Sequence, residues 1–134
     1  MFILVINPGS TSTKIAVYEN EKPMLLRSIT HSAEELRQFN DITEQFSFRK
    51  ELVISELRRM NIDFNFKAVI GRGGLAKPVS GGVYEINERM MSDTRNAIHK
   101  HACDLGCLIA YEIAKEIPGS RILIADPRGA NARN

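Results

Sequence analysis

The chain predicts an α/β domain on a mixed sheet, with an antiparallel three-strand unit at its N-terminus and helices flanking the rest. Two observations carry this. Three short apolar or β-branched runs open the chain, separated only by brief polar turns that leave no room for a crossover helix. After them, stretches of helical period alternate with further strand-like runs. A length of 134 residues suits one domain by the usual figure of roughly 100–200 residues each, and is enough for a real core.

The first run, Phe2 to Ile6, reads as a buried strand. A turn follows at Asn7-Pro8-Gly9, then four consecutive hydroxyls, Ser10, Thr11, Ser12 and Thr13, and the cation Lys14. Ile15-Ala16-Val17-Tyr18 is apolar and partly β-branched, so a second strand fits better than a helix. A strand–turn–strand unit of this kind offers backbone N–H groups, hydroxyls and an ammonium to one small anion, and phosphate suits it best. The same residues also serve an ordinary hairpin turn. A Walker A loop is a poor reading, because no glycine precedes Lys14 and the next segment is not helix-like.

Met24 to Ile29 makes the third strand, after the turn Asn20-Glu21-Lys22-Pro23. Ser32 and Glu35 form a capping-box signature for a helix over Ala33 to Phe39. A longer helix covers about Glu44 to Met60, with Phe46, Val53, Leu57 and Met60 on its apolar face and Arg49, Lys50, Glu56 and Arg59 off it, which reads as a surface helix lying over the sheet. Lys67 to Ile70 is a short strand running into Gly71-Arg72-Gly73-Gly74. Glycines at a strand end permit close approach of a ligand, and a guanidinium matches carboxylate or phosphate; a turn with an exposed arginine is the alternative. Pro78 and Gly81-Gly82 form another loop before Val83-Tyr84-Glu85-Ile86.

Glu88 to His99 reads as a helix capped by Asn87, and Asp104 to Ile117 as another, with Leu105, Leu108, Ile109, Ile113 and Ile117 on one face. His99, His101, Cys103 and Cys107 invite a zinc reading, but the spacing is not a finger pattern and Cys107 falls among apolar neighbours. Arg121 to Ala125 is a buried strand ending at Asp126-Pro127. A carboxylate just past a strand's carboxyl end can hold magnesium or act as a base, and Asp-Pro also simply forms turns.

Composition excludes several classes. The net charge of +2 leaves no nucleic-acid footprint. No apolar run of about 18 residues spans a membrane. The N-terminal apolar run is short and lacks a basic leader, and two cysteines do not make a secreted scaffold, so a cytoplasmic protein is expected.

Asn7-Pro8-Gly9-Ser10-Thr11-Ser12-Thr13-Lys14 resembles the first phosphate motif of the acetate and butyrate kinases, within the sugar kinase/Hsp70/actin superfamily. The form with Pro8, continuing KIAVYE, is more similar to butyrate kinase. His31-Ser32-Ala33-Glu34-Glu35-Leu36, Gly71-Arg72-Gly73-Gly74-Leu75, Gly81-Gly82-Val83-Tyr84 and Leu108-Ile109-Ala110-Tyr111-Glu112-Ile113-Ala114-Lys115 agree, in the right order. The resemblance runs from Met1 to about Pro127. It implies a ribonuclease H-like (actin-like ATPase) domain over residues 1–127, a non-family tail at 128–134 expected to be disordered, and a second domain that this chain lacks.

The resemblance also implies ATP and Mg2+, a short-chain fatty acid or acyl phosphate as small-molecule substrate, and a homo-oligomer in the intact enzyme. Asn7, Gly9, Ser10, Thr11, Ser12, Thr13 and Lys14 would hold phosphates. Arg72, His101 and Asp126 would be catalytic, and Asp126 with Asn7 would serve the metal. Related kinases place the glycine-rich region near the acyl group, with an arginine slightly upstream of the comparable Gly-Gly pair. The family pattern reads His-Ala-Ser-Asn-Leu-Gly-Gly where this chain has His101-Ala102-Cys103-Asp104-Leu105-Gly106-Cys107. Cys103, Asp104 and Cys107 depart from it, and Asp104 adds negative charge where phosphate is expected. The competing reading is an inactive remnant that binds phosphate or a partner.

Overall fold

A computed structural model of the chain describes residues 1–40, 44–72, 83–85 and 105–125. The first three strands are β1 (Phe2–Pro8), β2 (Ser12–Glu19) and β3 (Lys22–Thr30). Helices α1 (Ala33–Arg37) and α2 (Gln45–Arg59) follow, then β4 (Ala68–Arg72) and β5 (Val83–Glu85). Helix α3 (Leu105–Ala114) leads to β6 (Arg121–Ala125). The expected helix Glu88–His99 with its Asn87 cap, the loop at Pro78 and Gly81-Gly82, and the tail 128–134 lie outside the described residues.

One six-stranded sheet has the order β3-β2-β1-β4-β6-β5. β1, β2 and β3 form the expected antiparallel meander, while β4 runs parallel to β1 and β6 parallel to β4. β5 closes the far edge, antiparallel to β6. The carboxyl ends of β1, β4 and β6 therefore open on the same side of the sheet.

Period-two alternation sorts the side chains. Leu4, Ile6, Ile15 and Val17 bury against Val53 and Leu57 of α2 and Leu105 and Ile109 of α3. Val5, Asn7, Lys14, Ala16 and Tyr18, at the intervening positions, face the other side. Pro23 sits inside β3 because that strand is an edge, where a missing N–H costs no ladder bond. Asn20, at φ 58°, makes the two-residue turn between Glu19 and Lys22.

The capping box forms as expected: Glu35 N–H donates to Ser32 Oγ at 3.1 Å and Ser32 N–H donates to Glu35 Oε1 at 2.8 Å. Helix α1 stops at Arg37, earlier than Phe39, and buries none of its residues. The turn between β1 and β2 is shorter than expected, since Asn7 and Pro8 continue one strand and Ser12 to Lys14 begin the other. Cross-strand pairing recruits them: Asn7 pairs with Lys14 and Pro8 with Thr13.

Two sequence expectations are corrected. Arg49, assigned to the solvent side of α2, is 0% exposed. The buried stripe of α2 is Gln45, Arg49, Val53 and Leu57, each four residues from the next, while Phe46 and Met60 only flank the core. Gly71, expected just past the strand, lies within β4, where a Cβ would overlap the carbonyl of Gly106. A Cβ on Gly106 would in turn overlap the carbonyl of Arg72. The pair of glycines lets α3 lie backbone to backbone on β4.

Because each neighbour is main chain, neither side can yield without moving a whole element. Gly106→Ala is expected to destabilise the fold by about 1–3 kcal/mol. Thermal unfolding should show a Tm lower by at least about 5 °C; an unchanged Tm would mean the helix does not lie this close.

Candidate functional site

Three residues, Gly9, Ser10 and Thr11, remain as the loop between β1 and β2. Every carbonyl from Gly9 to Ser12 is turned to a donor inside the protein. Arg49 Nη1 donates to the carbonyls of Gly9 at 2.6 Å and Ser12 at 3.0 Å, and Nη2 donates to Ser10 at 3.1 Å. His31 N–H donates to the Thr11 carbonyl at 2.8 Å. Gly9 N–H is spent within the loop on the Ser12 carbonyl at 2.7 Å. The guanidinium is held in plane by Gln45 Oε1, which accepts from Nε at 3.1 Å and Nη2 at 3.0 Å.

Thr13 was expected to present its hydroxyl to a phosphate. The structure corrects this: Thr13 is 0% exposed, because alternation along β2 puts it on the helix face with Ile15 and Val17. Its oxygen accepts from Arg49 Nη1 at 3.2 Å and lies 2.8 Å from His31 Nε2. With Arg49 as donor, the threonine's own proton is free to go to a neutral imidazole. His31 is buried against Phe48, ring centroids 5.4 Å apart, and its Nδ1 has no partner among the described residues. Burial and the Arg49 charge both hold the His31 pKa below its ordinary 6.5, with Glu35 opposing. Burial lowers the Arg49 pKa as well, yet a guanidinium starts high enough to stay charged.

The face opposite the helices carries the exposed groups. A hollow of about 390 Å³ is lined by Asn7, Lys14 and Arg72 together with Val5, Ala16, Tyr18 and Leu26. Asn7 and Lys14 are cross-strand partners, and Arg72 reaches the same rim from β4, one residue beyond the pair Ile6 and Gly71. Ser10 and Thr11 are exposed at the loop's tip. The structure thus brings together Asn7, Lys14 and Arg72 of the residues singled out from sequence. His101 and Asp126 lie outside the described residues, although Ala125, which precedes Asp126, pairs with Arg72. Of the zinc candidates only Cys107 is described, and it is buried in α3 and in no disulfide.

Chemically, this arrangement suits phosphate. Lys14, Arg72 and the Asn7 amide share one rim, with Arg27, which is paired with Glu56, also on the lining, and the loop beside them has its carbonyls turned inward. The described lining offers a metal only neutral side-chain oxygens, those of Asn7, Tyr18 and Ser28, and no carboxylate, so the fit to phosphate groups is the stronger one.

Arg49, Gln45 and His31 were not found as site residues from sequence. For Arg49 a signal existed, since it stands in i, i+4 register with Val53 and Leu57. His31 carried none beyond its place in a stretch similar to the kinases.

Among solved structures, acetate kinase from Entamoeba histolytica matches with a TM-score of 0.59 at 18% identity, covering 94% of this chain and 34% of that one. Acetate kinase from Porphyromonas gingivalis gives a TM-score of 0.56 at 16% identity, over 96% and 37%. The domain therefore has the ribonuclease H-like fold. No protein-family model matches the chain. By sequence it is 59% identical over 127 residues to a probable butyrate kinase of Bacteroides thetaiotaomicron, covering 95% of this chain and 36% of that protein. It is 47% identical over 117 residues to butyrate kinase 1 of Clostridium acetobutylicum, covering 86% and 33%. The chain is homologous to the butyrate kinases over most of its own length and spans about a third of the length of these relatives.

The buried imidazole makes stability pH-dependent. The unfolded chain binds its His31 proton near 6.5, the folded chain only at lower pH. Its contribution is whole above 6.5 and is lost as pH falls through the folded value. The urea midpoint should drop between about pH 7.5 and pH 5.5, and drop less in His31→Gln. Equal drops in both proteins would show that another group is responsible.

Proposed function

We propose that residues 1–127 are the phosphate-gripping domain of a butyrate kinase, which transfers the terminal phosphoryl group of ATP to the carboxylate of a short-chain fatty acid and also runs in reverse. A carboxylate oxygen attacks the terminal phosphorus as the bond to the ADP oxygen breaks, giving butanoyl phosphate and ADP. The nucleophile is weak and both reactants are anions. Catalysis therefore rests on alignment and charge neutralisation more than on a strong base.

The observation that supports this best is the rim shared by Asn7, Lys14 and Arg72 at the carboxyl ends of β1 and β4, beside a loop whose carbonyls are all turned inward. Ligands of parallel sheets collect at that end. Lys14 would hold a phosphate, with the Ser10 and Thr11 N–H groups and hydroxyls orienting it. Arg72 would meet the carboxylate or the group in flight. On family resemblance, His101 would stabilise the transferring group and Asp126 would hold magnesium with Asn7 near by. When bound, the magnesium ion would neutralise phosphate charge. The partners on this reading are small molecules, with further copies of the chain in an intact enzyme, and the setting is the cytoplasm. No helix among the described residues is long and apolar enough to cross a membrane.

A kinase cleft excludes water by closing over its substrates, and the 134 residues correspond to about a third of the relatives' length. The purified chain, given ATP, magnesium and butyrate, is expected to form no acyl phosphate above background in a hydroxamate assay. Measurable turnover would refute the need for further protein. Lys14→Met should weaken binding of inorganic triphosphate to the chain by about tenfold, followed by calorimetry or ³¹P line width; equal affinity would remove Lys14 from the site.

A further inference from the structure

The feature left unexplained by the proposed chemistry is the buried charge of Arg49. It is wholly buried, and no carboxylate among the described residues pairs with it. Its contacts run instead to the carbonyls of Gly9, Ser10 and Ser12, the Thr13 hydroxyl and Gln45. A guanidinium placed this way does something specific to the peptide planes it touches. In a trans peptide the carbonyl of one residue and the N–H of the next point in opposite directions. With the Gly9 carbonyl drawn inward to Arg49, the Ser10 N–H points outward. With the Ser10 carbonyl drawn inward, the Thr11 N–H points outward as well. Neither N–H donates to any atom among the described residues.

We infer that Arg49 is a positioning residue: from the helix side, it turns the Ser10 and Thr11 N–H groups outward into an anion-binding nest for a phosphate that it never touches. The inference rests on the proposed phosphate site and deepens it. Successive outward N–H groups make such a nest. Arg49 shapes this one by occupying the oxygens that would otherwise compete for those directions. Two further details fit. The fork of a guanidinium can hold several carbonyls at fixed angles, which the point charge of a lysine cannot. And Gln45, the preceding member of the same helical stripe, locks the plane of that fork. The buried cation also leaves net positive potential behind the loop, which a bound phosphate would complement.

The test uses the ¹⁵N-labelled 134-residue chain titrated with sodium triphosphate, with Ser10 and Thr11 amide protons as reporters. In the natural chain both should move downfield as they gain a charged acceptor. Arg49→Lys keeps the charge but not the fork; it should keep a dispersed spectrum, lose the Ser10 and Thr11 shifts, and bind about tenfold more weakly. Arg49→Gln should bind no better than Arg49→Lys. Gln45→Leu, which leaves the arginine but frees its plane, should fall between. Full affinity and full amide shifts in Arg49→Lys would overturn the positioning role while leaving the phosphate site standing. Shifts in the natural chain that avoid residues 9–14 altogether would instead overturn the phosphate site itself. If the Arg49 variants do not fold, Gln45→Leu decides: weaker binding supports the role, and unchanged binding with unchanged amide shifts overturns it.

Discussion

A single buried guanidinium holds the first loop of this domain in shape. Six contacts converge on Arg49, from a helix on one side and a hairpin on the other. Burying a charge is costly unless its donors are all met, and here carbonyl dipoles and a glutamine meet them. The consequence is structural as well as local. Helix α2 cannot rotate on the sheet without withdrawing the arginine, and the hairpin cannot relax without orphaning the guanidinium. Loop shape, helix azimuth and the Thr13–His31 contact are thus one coupled unit.

The rest of the site follows from strand direction. β1, β4 and β6 run parallel, so their carboxyl ends share one edge. Asn7 belongs to the first and Arg72 to the second, while Lys14 arrives by cross-strand pairing. For Arg72 to stand there, α3 must lie directly on β4, and Gly71 and Gly106 permit it by having no side chains. The same hydrophobic layer of Leu4, Ile6, Val69, Ile109 and Ile124 that stabilises the domain therefore also sets the level of the rim. The two faces of the sheet divide the labour. Residues facing the helices brace the loop, and residues facing away meet the solvent.

Much of this was legible in the chain. The antiparallel opening, the Ser32–Glu35 capping box, the long helix and the strands near residues 68 and 121 all appear where local pattern placed them. Strand boundaries were less legible, because Asn7, Pro8, Ser12 and Thr13 are turn formers that cross-strand pairing drew into strands. Arg49 was misassigned because an arginine is ordinarily solvated. Its helical register with Val53 and Leu57 was the only hint, and propensity cannot show that four oxygens await it. The packing role of Gly71 was illegible for a similar reason, since a glycine that admits a ligand and one that admits a helix look alike in sequence.

The sequence by itself determined the order of the elements, the hydroxyl-rich bend between two strands, and the chain's similarity to the butyrate kinases. Those depend on near neighbours, on period and on motif, all of which a linear string contains. Tertiary structure alone decided which face each loop residue takes, that Thr13 is a brace while Lys14 is a rim group, and that Arg49 lies behind the loop. These depend on contacts between residues some forty positions apart, such as Gly9 and Arg49, which exist only once the helix has packed on the sheet.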